Sequence, residues 1–224
     1  MASMKRIYPA LTASLALALA LPAAAPATLA EVGVIPATTP ATVASCPATP
    51  CLAVSRTTGF QVKVATVHNP LSAPRSGTIV AWTITLGKPN ATQIKFFNSN
   101  EGGPAEAGIA ILRAVPKPHL TYKLIAASPT VKLEPYFGES AQFPLETTIP
   151  VKKGDVVALT VPTWAPALAL GFGNDTSWRA SRQKSQCTST SSQSSQTAIG
   201  SSTQYYCLYQ TARLTYSATE ISTP

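Results

Sequence analysis

Apolar and polar residues alternate along much of this chain. The alternation is clear in residues 60–67 and 78–86, where Trp82 shares one face with Val80 and Ile84. A period of two residues is typical of an antiparallel strand with one buried face. Trp82 is therefore predicted to be a core residue rather than part of a ligand platform.

Further short apolar runs predict the rest of a sheet protein. A turn at residues 153–155 separates two such runs and predicts a hairpin, around which the other strands can be arranged. Turn residues punctuate the remaining runs, and no segment has a convincing helical period. Strands are predicted at residues 92–97, 107–114, 119–127, 130–134, 141–151, 155–161, 167–172, 176–180 and 204–217. The pattern predicts an all-β fold, an antiparallel β-sandwich of jelly-roll type with about ten strands.

The last predicted strand carries several aromatic residues. Its alternation places Tyr206 and Leu208 on the buried face and Tyr205, Cys207 and Tyr209 on the outer face.

Composition supports the same fold class. Hydrophobic residues make up 45% of the 224 positions, which is enough for a core. Only 12% are charged, compared with about 25% in an average soluble domain. The 20 prolines argue against long helices.

The first 30 residues have the organisation of a secretory signal peptide. Lys5 and Arg6 supply the positive start, and residues 7–21 form an apolar stretch that predicts a signal helix. Small residues at Thr28 and Ala30 predict cleavage after Ala30. The alternative is an uncleaved anchor helix, but the apolar stretch is short for a span of about 20 residues. The mature chain is therefore expected to be secreted and to have no membrane span.

Shifts in composition divide the rest of the chain. The predicted segments are a Pro/Ala/Thr-rich leader at 31–55, a sandwich domain at 56–217 and a tail at 218–224. Within the domain, residues 185–203 are rich in Ser, Thr and Gln and predict a long mobile loop.

Four cysteines in an exported chain predict disulfides. Cys46 and Cys51 would close a small loop, and Cys187 and Cys207 would tether the serine-rich loop at its base. The crossed pairings are the alternative. A metal site would need further ligands, and the chain has only two histidines.

Catalytic motifs are absent from the sequence. His68 and His119 stand in no recognisable motif, no G-x-S-x-G occurs, and Asp155 is explained as a turn residue. We therefore expect no catalytic residues, no metal and no cofactor.

Five residues near predicted loops are candidates for ligand binding. Rigid aromatic rings beside polar donors are typical of sugar and peptide sites. The candidates are Trp164, Trp178, Arg179, Tyr205 and Tyr209. The alternative is structural, with Trp164 filling one end of the sandwich and the tyrosines packed beneath the serine-rich loop.

The chain is basic, with a net charge of +8 from 17 basic and 9 acidic residues. Loss of Lys5 and Arg6 with the signal segment leaves +6. No dense basic cluster accompanies this charge, so nucleic acid is not an expected partner. Outward basic residues at Lys63, Lys95, Lys123 and Arg213 are expected to form a solvated face, and the alternative is a face that binds a polyanion.

Four segments carry a resemblance to a group of proteins. They are TIVAWTITL at 78–86, AGIAILRA at 107–114, YKLIAAS at 122–128 and IPVKKGDVVAL at 149–159. Through them, residues 56–217 resemble uncharacterised secreted actinobacterial β-sandwich proteins. The resemblance implies a jelly-roll sandwich and supplies no catalytic or ligand residues.

The leading hypothesis is a secreted, non-catalytic protein that binds extracellular or cell-wall polysaccharide. Two alternatives stay open. One is a structural module of the cell surface that pairs with itself or with another surface protein, and the other is a hydrolase.

Overall fold

The computed structural model describes residues 27–35, 43–189 and 193–222. Residues 1–26 of the predicted signal segment lie outside the described residues. The last residues of that segment, from Thr28 to Ala30, lie in the first strand, Thr28–Val32. In the described part, no helix is both long and apolar enough to cross a membrane.

Antiparallel strands dominate the structure. One α-helix, α1 (Ala91–Asn100), and two short 3-10 helices, Glu134–Tyr136 and Lys184–Gln186, interrupt them. The strands are β1 (Thr28–Val32), β2 (Val54–Val64), β3 (Val67–His68), β4 (Gly77–Thr85), β5 (Glu106–Val115), β6 (Thr121–Ala127), β7 (Val131–Lys132), β8 (Ser140–Val151), β9 (Val156–Ala165), β10 (Leu168–Leu170), β11 (Ser177–Ala180), β12 (Ser202–Gln204), β13 (Cys207–Gln210), β14 (Ala212–Leu214) and β15 (Tyr216–Ser222).

The strands form two main sheets. The smaller sheet has the order β1-β15-β4-β8, and the larger has the order β12-β6-β5-β9-β2-β11-β13. In the larger sheet β3 also pairs with β2 and β7 with β5, while β10 and β14 form a separate pair. The predicted antiparallel β-sandwich is confirmed.

Tyr216 links the two sheets. Its buried ring belongs to β15 of the smaller sheet, and its hydroxyl donates to the carbonyl oxygens of Val157 at 2.9 Å and Gly59 at 3.3 Å in the larger sheet. Burial raises the pKa of this hydroxyl well above its usual value, so it remains a donor at physiological pH.

Apolar side chains from both sheets fill the space between them. Trp82 and Ile84 on β4 and Ile109 and Leu159 on the larger sheet are at most 1% exposed. Burial of such side chains contributes about 25 cal/mol per Å² of apolar surface. The prediction that Trp82 is a core residue is confirmed.

The turn at residues 153–155 connects β8 of the smaller sheet to β9 of the larger sheet. The predicted hairpin is therefore wrong, because β8 pairs with β4 while β9 pairs with β2 and β5.

An ion pair fixes this turn. Asp155 follows Gly154, whose φ of 87° suits glycine, and its carboxylate accepts both Nε and Nη2 of Arg113 at 2.7 Å. Burial alone would raise the pKa of Asp155. The hydrogen bonds from Arg113 and from the backbone N–H of Lys152 outweigh burial and hold that pKa below its usual value. Asp155 is thus more than a turn residue, because it joins β5 to the connection between the two sheets.

Both predicted disulfides are confirmed. Cys46 and Cys51 close a loop with a sequence separation of 5, and Cys187 and Cys207 close one with a separation of 20.

Three further sequence predictions are wrong. Residues 92–97 were expected to be a strand but form most of α1. The described residues of the serine-rich segment are not simply a loose loop, since Gln196 is 4% exposed and hydrogen-bonded to several groups. The final strand is divided into β13, β14 and β15, and β15 continues through the predicted tail to Ser222.

The facing of residues 205–209 is also the reverse of the prediction. Tyr205 and Cys207 are fully buried, while Leu208 is 42% exposed. The reason is that the serine-rich segment covers what was expected to be an outer face, so alternation alone could not tell which side was covered.

Candidate binding site

Helix α1 lies at one end of the sandwich and positions the candidate site. Asn90 caps it: Asn90 Oδ1 accepts the backbone N–H of Gln93 at 3.0 Å, and Gln93 Oε1 accepts that of Asn90 at 2.8 Å. This reciprocal capping box satisfies two N–H groups that the helix leaves unpaired. Glu101 ends the helix, and Gly102 and Gly103 then take positive φ values.

One side of α1 is anchored to the core. Phe97 stacks on Trp164 with ring centroids 4.7 Å apart. The indole Nε1 of Trp164 donates to Asn98 Oδ1 at 2.8 Å and to the carbonyl oxygen of Gly103 at 3.0 Å. Trp164 is therefore a fully buried support for the helix, with its only polar atom already bonded.

The neighbouring residue points the other way. Phe96 is 58% exposed, which makes it the most exposed aromatic side chain in the part of the chain that the structure describes. Its ring meets Phe97 edge-on with centroids 5.5 Å apart. Phe96 thus presents an aromatic face to solvent from a helix that cannot easily shift.

An open depression of about 520 Å³ lies beside Phe96. We call it the shelf and define it by Leu52, Ser55, Thr92, Gln93, Phe96 and Glu101. Its surface combines an aromatic ring and an aliphatic side chain with hydroxyl, amide and carboxylate groups.

Two bonds hold the shelf together. Gln93 Nε2 donates to the carbonyl oxygen of Pro47 at 3.1 Å, which ties α1 to the Cys46–Cys51 loop. Arg56 Nε donates to Glu101 Oε2 at 3.0 Å, which ties β2 to the end of the helix. A surface fixed in this way loses little conformational entropy when a ligand binds.

The sequence-predicted binding residues converge only in part. Trp178 and Tyr209 pair across β11 and β13 with ring centroids 4.8 Å apart. Arg179 Nη1 donates to the carbonyl oxygen of Tyr205 at 3.1 Å. Trp164 takes part in neither of these contacts and lies under α1, against Phe97. Ligand binding by these five residues stays a prediction.

Burial limits what these residues offer to a ligand. Trp178 is 6% exposed, and Tyr205 is fully buried with its hydroxyl donating to Gln196 Oε1 at 2.7 Å. Burial raises the pKa of Tyr209, although Arg182 beside its hydroxyl opposes the shift. Burial also lowers the pKa of Arg179. These groups form a packed polar interior more than an open platform.

Sequence reasoning missed the shelf because it assigned Phe96 to a strand. The available signal was Asn90 followed three residues later by Gln93, a helix-start pattern that places Phe96 and Phe97 on different faces. In the described residues, no three His, Cys, Asp or Glu side chains group as a metal site.

Comparison with known proteins gives no relative for this chain. No family model matches it, and no curated protein and no solved structure matches it either. The resemblance to secreted actinobacterial proteins therefore stays a prediction.

Proposed function

We propose that this chain is an exported, non-catalytic protein that binds an extracellular polysaccharide on the shelf. The observation that carries the proposal is the exposed ring of Phe96 in an open depression bordered by hydroxyl and carboxylate groups. Aromatic faces pack against the C–H patches of sugar rings, and the polar groups fix their orientation.

The openness of the shelf favours a polymer over a small sugar. A chain of sugars has to enter and leave on both sides of the unit that is bound, which an enclosed cavity forbids. The shelf lies at the end of the sandwich, where α1 and the Cys46–Cys51 loop leave it uncovered. Two disulfides and the signal-like first 30 residues support an exported protein.

The experiment is retention on insoluble and soluble bacterial cell-wall and environmental polysaccharides. Phe96→Ala is expected to weaken retention about tenfold, because one stacked ring contributes roughly 1–1.5 kcal/mol. Tyr136→Ala is the matched control, since this exposed aromatic lies outside the shelf.

Salt separates specific binding from charge attraction. The chain is basic, so a polyanion retained only at low ionic strength would be held by net charge. Retention that persists at high salt and is lost in Phe96→Ala supports the proposal. The absence of retention at both ionic strengths, or equal loss in Tyr136→Ala, would contradict it.

A further inference from the structure

A second cavity lies between the two sheets, away from the shelf. It has a volume of about 380 Å³ and opens beside β8, the free edge of the smaller sheet. We call it the intersheet groove and define it by Trp82, Ala127, Val131, Phe143, Leu145 and Glu146. Volumes of roughly 300–1,000 Å³ with mainly apolar walls are usual for small-molecule sites.

A large bulge in β8 builds one wall of the groove. Ile149 pairs with Ile79 and Pro144 pairs with Ala81, so residues 145–148 stand opposite a single residue of β4. The bulge pushes Leu145 and Glu146 out of the regular ladder. The space that opens is lined by their side chains instead of being filled by the sheet.

The same strand argues against a peptide as the occupant. An extended peptide would have to add to the free edge of β8 through backbone hydrogen bonds. Pro144 and Pro150 have no N–H to donate, and the bulge between them breaks the straight edge that a partner strand needs. The groove therefore suits a small molecule.

Aromatic rings line its inner part. Trp82 and Phe143 lie with ring centroids 4.9 Å apart and planes tilted by 35°. Tyr136 meets Phe143 edge-on at 5.1 Å, so the aromatic cluster continues to the surface. Such rings favour a flat apolar body and attract a cation placed near their faces.

The side chains that line the groove carry a single negative charge. Glu146 is the only ionisable residue among those that line it. In the part of the chain that the structure describes, its exposed carboxylate has neither an ion-pair nor a hydrogen-bond partner. A carboxylate beside an aromatic pocket on an otherwise basic protein selects a positively charged ligand.

We propose that the intersheet groove binds a small organic cation with an aromatic body. The ring packs against Phe143 and Leu145, and the ammonium group pairs with Glu146. This inference does not depend on polysaccharide binding, because the two sites share no residue.

Three probes with the same ring and different charge test it. They are phenethylammonium, 2-phenylethanol and 3-phenylpropionate, titrated into the full secreted protein and followed by amide chemical shifts of the groove residues. The cation is expected to bind most tightly, the alcohol about fivefold more weakly and the carboxylate most weakly.

Two variants locate the binding. Glu146→Gln is expected to reduce the affinity for the cation to that for the alcohol, and Ala127→Leu to weaken all three probes by filling the groove. Glu146 is exposed, so its replacement leaves the fold intact even if Ala127→Leu does not fold. Glu139→Gln is the control, an exposed carboxylate outside the groove.

The result can also overturn the inference. No binding of any probe, equal binding of all three, or the same loss in Glu146→Gln and Glu139→Gln would each refute it. Failure of Phe96→Ala to change polysaccharide retention would leave this result untouched, since that variant tests the shelf.

Discussion

The two faces of the paired strands β2 and β9 are both buried, but different chemistry buries them. Gly59 pairs with Leu159, and Thr58 pairs with Thr160. Successive residues point to opposite faces, so Leu159 faces one side of the sheet and Thr160 the other. Leu159 is fully buried in the apolar core, while Thr160 is 4% exposed beneath the serine-rich segment.

Hydrogen bonds hold the second face together. Thr58 Oγ1 lies 3.2 Å from Thr160 Oγ1 and accepts the backbone N–H of Gln196 at 2.9 Å. Tyr205 donates to Gln196 Oε1 at 2.7 Å. The comparison teaches that a segment poor in apolar residues can still cover a sheet if its polar groups find partners. The following predictions, from the largest effect to the smallest, test that difference.

Truncation of the apolar face is expected to cost most. Leu159→Ala leaves a cavity in the core and should lower the free energy of unfolding by about 4 kcal/mol. Thr160→Val is the matched control on the opposite face of the same strand and should cost about 1 kcal/mol. Urea denaturation measures both. Equal costs would show that the two faces contribute alike.

Removal of the disulfide beneath the serine-rich segment is expected to come next. The double variant Cys187→Ser/Cys207→Ser should lose about 3 kcal/mol, because the bridge closes a loop of about 20 residues. The Cys46–Cys51 bridge closes a much shorter loop, so its removal should cost less. Thermal unfolding of both variants measures the two stability costs. A larger cost for loss of the Cys46–Cys51 bridge would contradict the stabilising role given to the Cys187–Cys207 bridge.

Removal of Gln196 tests the polar face directly. Gln196→Ala leaves the buried Tyr205 hydroxyl without its acceptor and should cost about 2 kcal/mol. Tyr205→Phe should cost about 1 kcal/mol. Because the second change removes the group that the first one leaves unpaired, the double variant should cost less than the sum. Additive costs in this cycle would mean that the bond contributes nothing.

Replacement of a buried carboxylate that has no partner is expected to have the smallest effect on stability, and this replacement should raise stability instead of lowering it. Glu220 on β15 is fully buried, and neither of its oxygens has a hydrogen-bond partner in the described residues. Burial raises its pKa, and the charge of Arg75 opposes the shift only in part. The contribution of Glu220 to the free energy of unfolding is therefore most favourable below its unfolded-state pKa, and it is lost as pH rises through its folded-state pKa.

Glu220→Gln removes the stability loss that ionisation of the buried carboxyl causes as pH rises. The variant is expected to melt like the wild type in acid and roughly 2–4 °C higher at neutral pH. Melting curves from pH 4 to pH 8 show the divergence, with Glu139→Gln, a change at an exposed carboxylate, as the control. A neutral-pH melting temperature at or below that of the wild type would rule out the unpaired charge.

The sequence predicted two kinds of feature correctly. These are strands with a repeating apolar pattern and disulfides between the four cysteines. Period-two alternation identified strands such as β4 and β9, and the positions of four cysteines in a chain predicted to be exported indicated the correct disulfides. Trp82 was assigned to the core because its neighbours two residues away are apolar. These inferences depend on local pattern, which the fold preserved.

The sequence could not show what covers a surface. Tyr205 and Gln196 are buried by contacts between segments that no local pattern connects. The shelf was missed for a more local reason, since residues 92–97 alternate well enough to imitate a strand while Asn90 and Gln93 cap a helix. Three of the aromatic candidates, Trp164, Trp178 and Tyr205, are buried, and the exposed Phe96 was not among the candidates.

The pairing of β1 with β15 determines when the smaller sheet can be completed during synthesis. Glu31 pairs with Thr219, so the smaller sheet joins residues 188 positions apart in the chain. A ribosome releases β1 long before β15 has been synthesised. The sheet can close only when almost the whole polypeptide has emerged, and contacts of such long range form slowly. The smaller sheet can therefore be completed only when nearly all of the chain has been synthesised.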